Sequence, residues 1–173
     1  MSNALENMKT RRSVRKYKNE MIAPDVLEQI LQAGTWAATG RNLQSPIMVA
    51  VTNRELRDRL SQMNAAIMGV DTDPFYGAPV VVIVLANRDV PTHVYDGSLV
   101  MGNLMLDAHE LGVGSCWIHR AREEFETEEG KALLREIGIV GDFVGIGHCI
   151  LGYPDGPLPP AKVYKENYIY HVK

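Results

Sequence analysis

Apolar positions along the chain recur at two spacings, and each spacing predicts a different element. From Pro24, the residues Val26, Leu27, Ile30 and Leu31 share one helical face, with proline tolerated in the first turn. Gly34 weakens or ends that helix before Trp36. A second helix is predicted from Asn53, a good N-cap, burying Leu56, Leu60, Met63 and Ile67. A third runs from about Asp96 to Leu111. Its Leu99, Val100, Met101, Leu104, Met105, Leu106 and Leu111 leave little polar face, which predicts burial inside the domain or in a subunit interface. A fourth is capped by Thr127, with Glu128 and Glu129 at its positive end and Gly138 suited to its C-terminal cap. The continuous apolar runs Ile47 to Val51 and Pro79 to Ala86 read as central strands covered on both faces. Phe143 to Leu151 is a further strand, in which Gly145 and Gly147 permit close approach of something flat or of a helix. Val113 to Ile118 reads as another, and the alternation from Tyr164 to Val172 predicts an edge strand, offered to this sheet or to another subunit. Helices fall between most strands, so a three-layer α+β or α/β architecture is expected.

Composition narrows this picture. A chain of 173 residues with 46% hydrophobic content suits one domain, taken here as residues 1–173, with a substantial core. The net charge of -3 argues against a whole-protein field that captures nucleic acid. Cys116 and Cys149 sit in apolar runs with no Cys-x-x-Cys spacing, so a disulfide framework is not expected and a reduced, cytoplasmic setting fits better. Met1 to Thr10 lacks the apolar stretch of a signal peptide, and no apolar run is long enough to span a bilayer. Pro154 to Pro160 reads as a linker before a C-terminal tail.

Four segments carry candidate chemistry. Lys9 to Lys18 holds six cations in ten residues. It reads either as a solvated basic arm or as an anion clamp, in which Arg11, Arg12 and Arg15 offer paired charge-assisted bonds and Ser13 adds a hydroxyl. Thr35 to Pro46 is small, polar and placed directly before a strand. Asn42 makes local turn bonds there, or Asn42 and Gln44 present carboxamides, donor and acceptor together, to the edge of a flat heterocycle. In Gly112 to Arg120, small residues allow backbone contact with a planar ligand and Trp117 adds apolar area; a plain strand with a buried tryptophan is the simpler reading. Lys162 and Lys165, after Pro159-Pro160, are exposed loop lysines or return to the anion clamp.

Taken in order, these segments resemble the nitroreductase-like family of FMN-dependent oxidoreductases over essentially the whole chain. The matching elements are Arg11-Arg12-Ser13-Val14-Arg15-Lys16-Tyr17, Gly40-Arg41-Asn42-Leu43-Gln44-Ser45-Pro46 and Tyr76-Gly77-Ala78-Pro79. Asp107 to Ile118, Leu151-Gly152-Tyr153-Pro154 and the late lysines complete the series. Three positions depart from the common pattern: Ala38 where many members have proline, Tyr164 where many have a second basic residue, and His119-Arg120 where better-known members carry an acidic residue and glycine.

The resemblance implies a three-layer α-β-α fold with a mostly antiparallel central sheet and a C-terminal strand exchanged in a homodimer. It implies FMN bound at the dimer interface, with NADH or NADPH as electron donor. Nitroaromatics, quinones or related small molecules would be the acceptors, reduced by ping-pong hydride transfer. Arg11, Arg12, Ser13 and Arg15 would hold the phosphate and ribityl chain. Asn42 from the partner and Gln44 would approach the isoalloxazine ring. Trp117, Ile118, His119 and Arg120 would line it, and Lys162 and Lys165 would close on the phosphate. No catalytic side chain and no metal are expected, because the flavin carries the chemistry. Phe75 and Tyr76 read equally as stackers of an aromatic substrate or as packing for their own loop. Relatives that dehydrogenate, dehalogenate or break down flavin leave other redox reactions open, as does a non-catalytic FMN-binding role. A nucleic-acid binder using the basic arm belongs to another class, disfavoured by the net negative charge and the absence of an aromatic-interleaved motif.

Overall fold

Strand β2 (Val80–Asn87) is the spine of the fold, because every side chain but its last is buried. In the computed structural model, which describes residues 4–173, Val80, Val82, Val84 and Ala86 enter one apolar layer. Val81, Ile83 and Leu85 enter the other. This is the two-residue period of a strand, filled with apolar side chains on both faces.

Around β2 the sheet runs in the order β1-β2-β4-β3, with β1 (Pro46–Val51), β3 (Gly114–Ile118) and β4 (Phe143–Gly152). Every pairing is antiparallel: Pro46 faces Ala86, Val80 faces Leu151 and Gly114 faces Gly152. One face is covered by α2 (Pro24–Thr35) and α4 (His93–Glu110), through Leu27, Ile30, Val100, Met101, Leu104 and Ala108. The other is covered by α3 (Arg54–Met68), α5 (Ala121–Glu126) and α6 (Glu128–Glu136), through Leu60, Met63, Phe125, Leu133 and Leu134. A short α1 (Ala4–Thr10) is tied to α4 by Asn7, whose Nδ2 donates to the Leu106 carbonyl at 2.9 Å. The architecture is therefore α-β-α with a wholly antiparallel four-stranded sheet.

The helix boundaries follow local chemistry. The Asn53 side chain accepts from Leu56 N–H at 2.9 Å, and Thr127 from Gly130 N–H at 2.9 Å. Gly69 ends α3 with φ +73°. The two glycines of β4 each receive the kind of neighbour expected of them. A Cβ on Gly147 would stand 2.3 Å from the indole nitrogen of Trp117, and one on Gly145 would stand 2.1 Å from the Ala121 carbonyl at the start of α5.

Four expectations are corrected. Strand β1 is an edge strand, half-buried with Ala50 exposed, because only β2 pairs with it. Ile67 lies on the outer side of the last turn of α3 and is partly exposed. Helix α4 begins at His93, and Leu99 is half exposed despite the apolar run around it. The tail from Tyr164 to Val172 forms no strand within the chain and is exposed throughout. Its alternation finds no sheet edge in its own subunit to pair with.

Candidate functional site

The basic arm is pinned along the β3 end of the sheet by backbone bonds. Val14 N–H donates to Ser115 O at 2.9 Å, Lys18 N–H to Tyr153 O at 2.9 Å, and Asp155 N–H to Lys16 O at 3.0 Å. Ser13 bridges to Ser115 and Tyr17 to Pro154. Gly114 allows this approach, since a Cβ there would meet Val14 at 2.9 Å. The arm is thus a fixed structural element along much of its length.

Its cations then divide by role. Arg11 is half-buried, and its Nη1 is buried without a hydrogen-bond partner. A buried guanidinium N–H left unpaired is costly, so an acceptor is called for. Ser115 Oγ, in the strand beside the arm, is buried and unpartnered as well. Arg12 is committed to backbone: Nε donates to Pro160 O at 3.0 Å, and Nη1 to Lys9 O at 2.7 Å and Arg11 O at 2.9 Å. It therefore ties the arm to the start of the tail. Arg15 is exposed. Lys16 pairs with Asp155 at 2.8 Å.

Beside the arm lies a cleft of about 330 Å³, lined among others by Arg12, Val14, His109, Ser115, Pro154 and Leu158. Burial and the charges of Arg11 and Arg12 hold His109 below the usual histidine range, against the opposing pull of Glu110. Its Nε2 lies 2.9 Å from Thr10 Oγ1. Burial pushes the Cys116 thiol up, while Arg15, a Ser13 hydrogen bond and Arg11 oppose it. Burial likewise pushes the Tyr17 phenol far up, and its hydroxyl donates to Val14 O at 2.6 Å. Neither group is a ready nucleophile or base. The excess positive charge, the unpartnered donors and the glycine-lined cleft suit an anion such as a phosphate monoester.

The loop carrying Asn42 and Gln44 sits elsewhere. It precedes β1, at the opposite edge of the sheet from β3. Arg41, Asn42 and Gln44 have φ values of +53°, +54° and +49°, with right-handed Leu43 between them, a concentration of strained backbone of the kind held at binding sites. Gln44 Nε2 donates to Asn42 Oδ1 at 3.2 Å. Asp96, buried in the first turn of α4, holds the loop. Its carboxylate accepts from Gly40 N–H at 3.0 Å, Ser45 Oγ at 3.2 Å and Thr92 Oγ1 at 2.9 Å. No motif in the sequence singles out Asp96, because the loop that supplies two of its three partners lies more than fifty residues before it.

Other expected residues are placed as follows. Trp117 is half-buried over Gly147. The Ile118 side chain is buried in the core. His119 is exposed, and Arg120 has φ +79° where the chain turns into α5. Phe75 has no exposed surface: it lies 5.5 Å from the Arg57 guanidinium and 5.2 Å from the His148 ring, so the packing reading holds for its side chain. Tyr76 is exposed, with φ +53°. Lys162 and Lys165 contact the Tyr164 and Tyr168 rings in the exposed tail. Among the described residues there is no group of three metal-ligating side chains, and no helix long and apolar enough to cross a membrane.

Comparison with known proteins gives the arrangement its context. A Bacteroides fragilis nitroreductase, whose crystal structure contains bound FMN, is 29% identical and superposes with a TM-score of 0.91, each chain covered in full. A Desulfitobacterium hafniense nitroreductase with bound FMN shares the fold at a TM-score of 0.89, full coverage of both chains and 23% identity. An Archaeoglobus fulgidus protein, provisionally named NADH dehydrogenase/NAD(P)H nitroreductase, is 29% identical over 97% of this chain and all of its own. The Nitroreductase family model matches residues 8–71 and 64–153, a span that takes in the basic arm, the Asn42 loop, the whole sheet and the turn at Arg120. With fold, arm and loop matched together, this chain belongs to the Nitroreductase family.

Proposed function

We propose that this protein is an FMN-dependent NAD(P)H oxidoreductase that reduces small acceptors such as nitroaromatics and quinones, and that it works as a homodimer. The observation that carries the cofactor is the buried, unpartnered guanidinium nitrogen of Arg11 in an arm whose backbone is pinned by hydrogen bonds. Arg11 and Ser13 would hold the phosphate, with Arg12 bracing the arm and Lys162 or Lys165 closing from the tail. Trp117 and the backbone from Ile118 to Arg120 would line the ring, and Arg15 would hold positive charge near it. Bound FMN supplies the redox chemistry, taking a hydride from NADH or NADPH and passing the electrons to the acceptor in two successive half-reactions. The chain's own residues bind, orient and exclude water.

The dimer rests on sheet order. The arm lies by β3 and the Asn42 loop enters β1, so the two halves of the expected site stand three strand steps of about 4.8 Å apart across the sheet and at opposite ends along it, Pro46 pairing with Ala86 while Ser115 pairs with Leu151, the partner of Val80. Two copies would bring Asn42 of one to the arm of the other. Exposed Trp36, Tyr95 and Leu99 offer apolar surface for that contact.

The decisive experiment is a visible spectrum of purified protein, followed by NADH or NADPH without oxygen. Flavin bands that bleach support the reading. Bands that persist reject the nicotinamide donor, and a colourless protein that takes up no added FMN rejects the cofactor. Parallel lines in two-substrate kinetics are expected, and intersecting lines would remove the two-half-reaction scheme.

A further inference from the structure

The turn between β3 and α5 is tied to the helix by Glu124 N–H, which donates to Arg120 O at 2.9 Å, but its side-chain support comes from elsewhere. Arg120 adopts φ +79°, a left-handed conformation that costs a residue with a Cβ about 1–2 kcal/mol. His119 beside it is exposed and packs into no core. The turn is held instead by Asn64, a fully buried residue near the end of α3. Asn64 Nδ2 donates to the His119 carbonyl at 2.8 Å, and its Oδ1 accepts from Arg120 Nε at 3.1 Å. The same Nδ2 donates to the Glu124 carboxylate. Behind it, Glu124 Oε2 meets His148 Nε2 at 2.9 Å, and both residues are completely buried. The His148 ring is wedged between Phe75 and Phe125, with centroids 5.2 and 6.0 Å away. Arg120 also reaches outward, its Nη2 lying 3.2 Å from Met68 Sδ.

Burying a carboxylate, a carboxamide and an imidazole is costly, and apolar side chains would fill the same space at lower cost. What the polar cluster adds is direction: each bond has a fixed angle, and the chain of bonds joins β4, α5, α3 and the turn. Arg120 is held by neutral atoms and forms no ion pair with a carboxylate among the described residues, so its charge stays at the turn.

We propose that Asn64, locked from behind by Glu124 and His148, is a positioning residue for the cofactor ring: by holding the His119 carbonyl and the Arg120 side chain from the α3 side, it sets the backbone of the His119–Arg120 turn that would flank the ring's edge. This rests on the flavin reading above. The Asn64→Ala variant loses all three bonds. In the FMN-loaded protein it is expected to shift the flavin midpoint potential and to weaken FMN binding about tenfold, equivalent to about 1.4 kcal/mol. In ¹⁵N spectra of the flavin-free protein, the Arg120 Nε–H resonance should be protected from exchange in the wild type and lose that protection in the variant. Two further variants spare most of the cluster. Glu124→Gln keeps an acceptor for Asn64, and Arg120→Gly suits the left-handed backbone; each is expected to shift the potential while the protein stays folded. If melting temperature falls while potential and FMN affinity match the wild type, the cluster is structural only and the proposal is overturned. If Asn64→Ala does not fold, an unchanged potential in both other variants overturns it equally. Failure of the wild type to take up FMN would reject the flavin reading itself, and is seen before any variant is made.

Discussion

Asp73 gathers four donors: the Arg57 guanidinium and Ser61 Oγ from α3, and the backbone N–H groups of Phe75 and Gly77 from its own loop. Burial alone would raise its carboxyl, but the hydrogen bonds from Arg57, Ser61, Gly77 and Phe75 outweigh it and hold the group below its ordinary 3.8. A carboxyl depressed in the folded state contributes stability above its unfolded value and loses it as pH falls through the folded one. The melting temperature should therefore drop as pH is lowered from 3.8 downward. In Asp73→Asn it should be lower at neutral pH and flatter across that acid window, as a series of calorimetric scans would show; equal acid slopes would refute the assignment. Phe75, on the same loop, gives a second prediction at this scale. Truncating a fully buried phenylalanine costs about 3–5 kcal/mol, so Phe75→Ala should lower stability by that order in denaturant titration. An unchanged stability with altered acceptor preference would restore the substrate-contact reading. At the arm, Arg11→Ala removes the unpartnered donor. The loss of a charge-assisted bond, about 1.5–3 kcal/mol, should weaken FMN binding roughly ten- to a hundredfold in fluorescence titration with the melting temperature of the flavin-free protein preserved.

At the scale of elements, both loops that would meet the flavin are held by buried polar residues on helices. Asp96 of α4 holds the Asn42 loop, and Asn64 of α3 holds the His119–Arg120 turn. Asp96→Ala leaves Gly40 N–H, Ser45 Oγ and Thr92 Oγ1 without their common acceptor. Amide exchange over residues 40–45 should accelerate, and FMN affinity should fall, while the strands keep their protection. Acceleration spread evenly over the sheet would show instead that Asp96 supports the whole domain. The helices and strands themselves were largely legible from periodicity and caps. Asn53 and Thr127 cap as their types demand, and Val80–Asn87 buries both faces as an unbroken apolar run should. The edge position of β1 was not legible, because an apolar run looks alike at the centre and the rim of a sheet. Nor were Asp96, Asn64, Glu124 and His148, most of whose partners lie far away along the chain.

For the whole molecule, the separation of the arm from the Asn42 loop makes assembly and cofactor binding one question. Placing a charge in the exposed apolar patch, as in Leu99→Glu, should favour the monomer in micromolar sedimentation and weaken FMN binding in parallel. A monomer that binds FMN with wild-type affinity would show that one chain completes the site. The exposed tail, with Val163, Ile169 and Tyr170 open to solvent, is the other surface such an assembly would cover.

By itself, the sequence determined the helices α2, α3, α4 and α6, the four strands as segments, and the residues of the basic arm, but not α1, α5 or the fate of the tail. These depend on spacing, capping and charge over a few turns of chain, which are local properties. Tertiary structure alone decided that Phe75 is core, that Arg12 is spent on carbonyls while Arg11 retains a free donor, and that arm and loop lie at opposite sheet edges. Those outcomes depend on which distant segments pack together, and a hydrogen bond between Arg12 and Pro160 or between Asn64 and His119 leaves no periodic trace in the residues that form it.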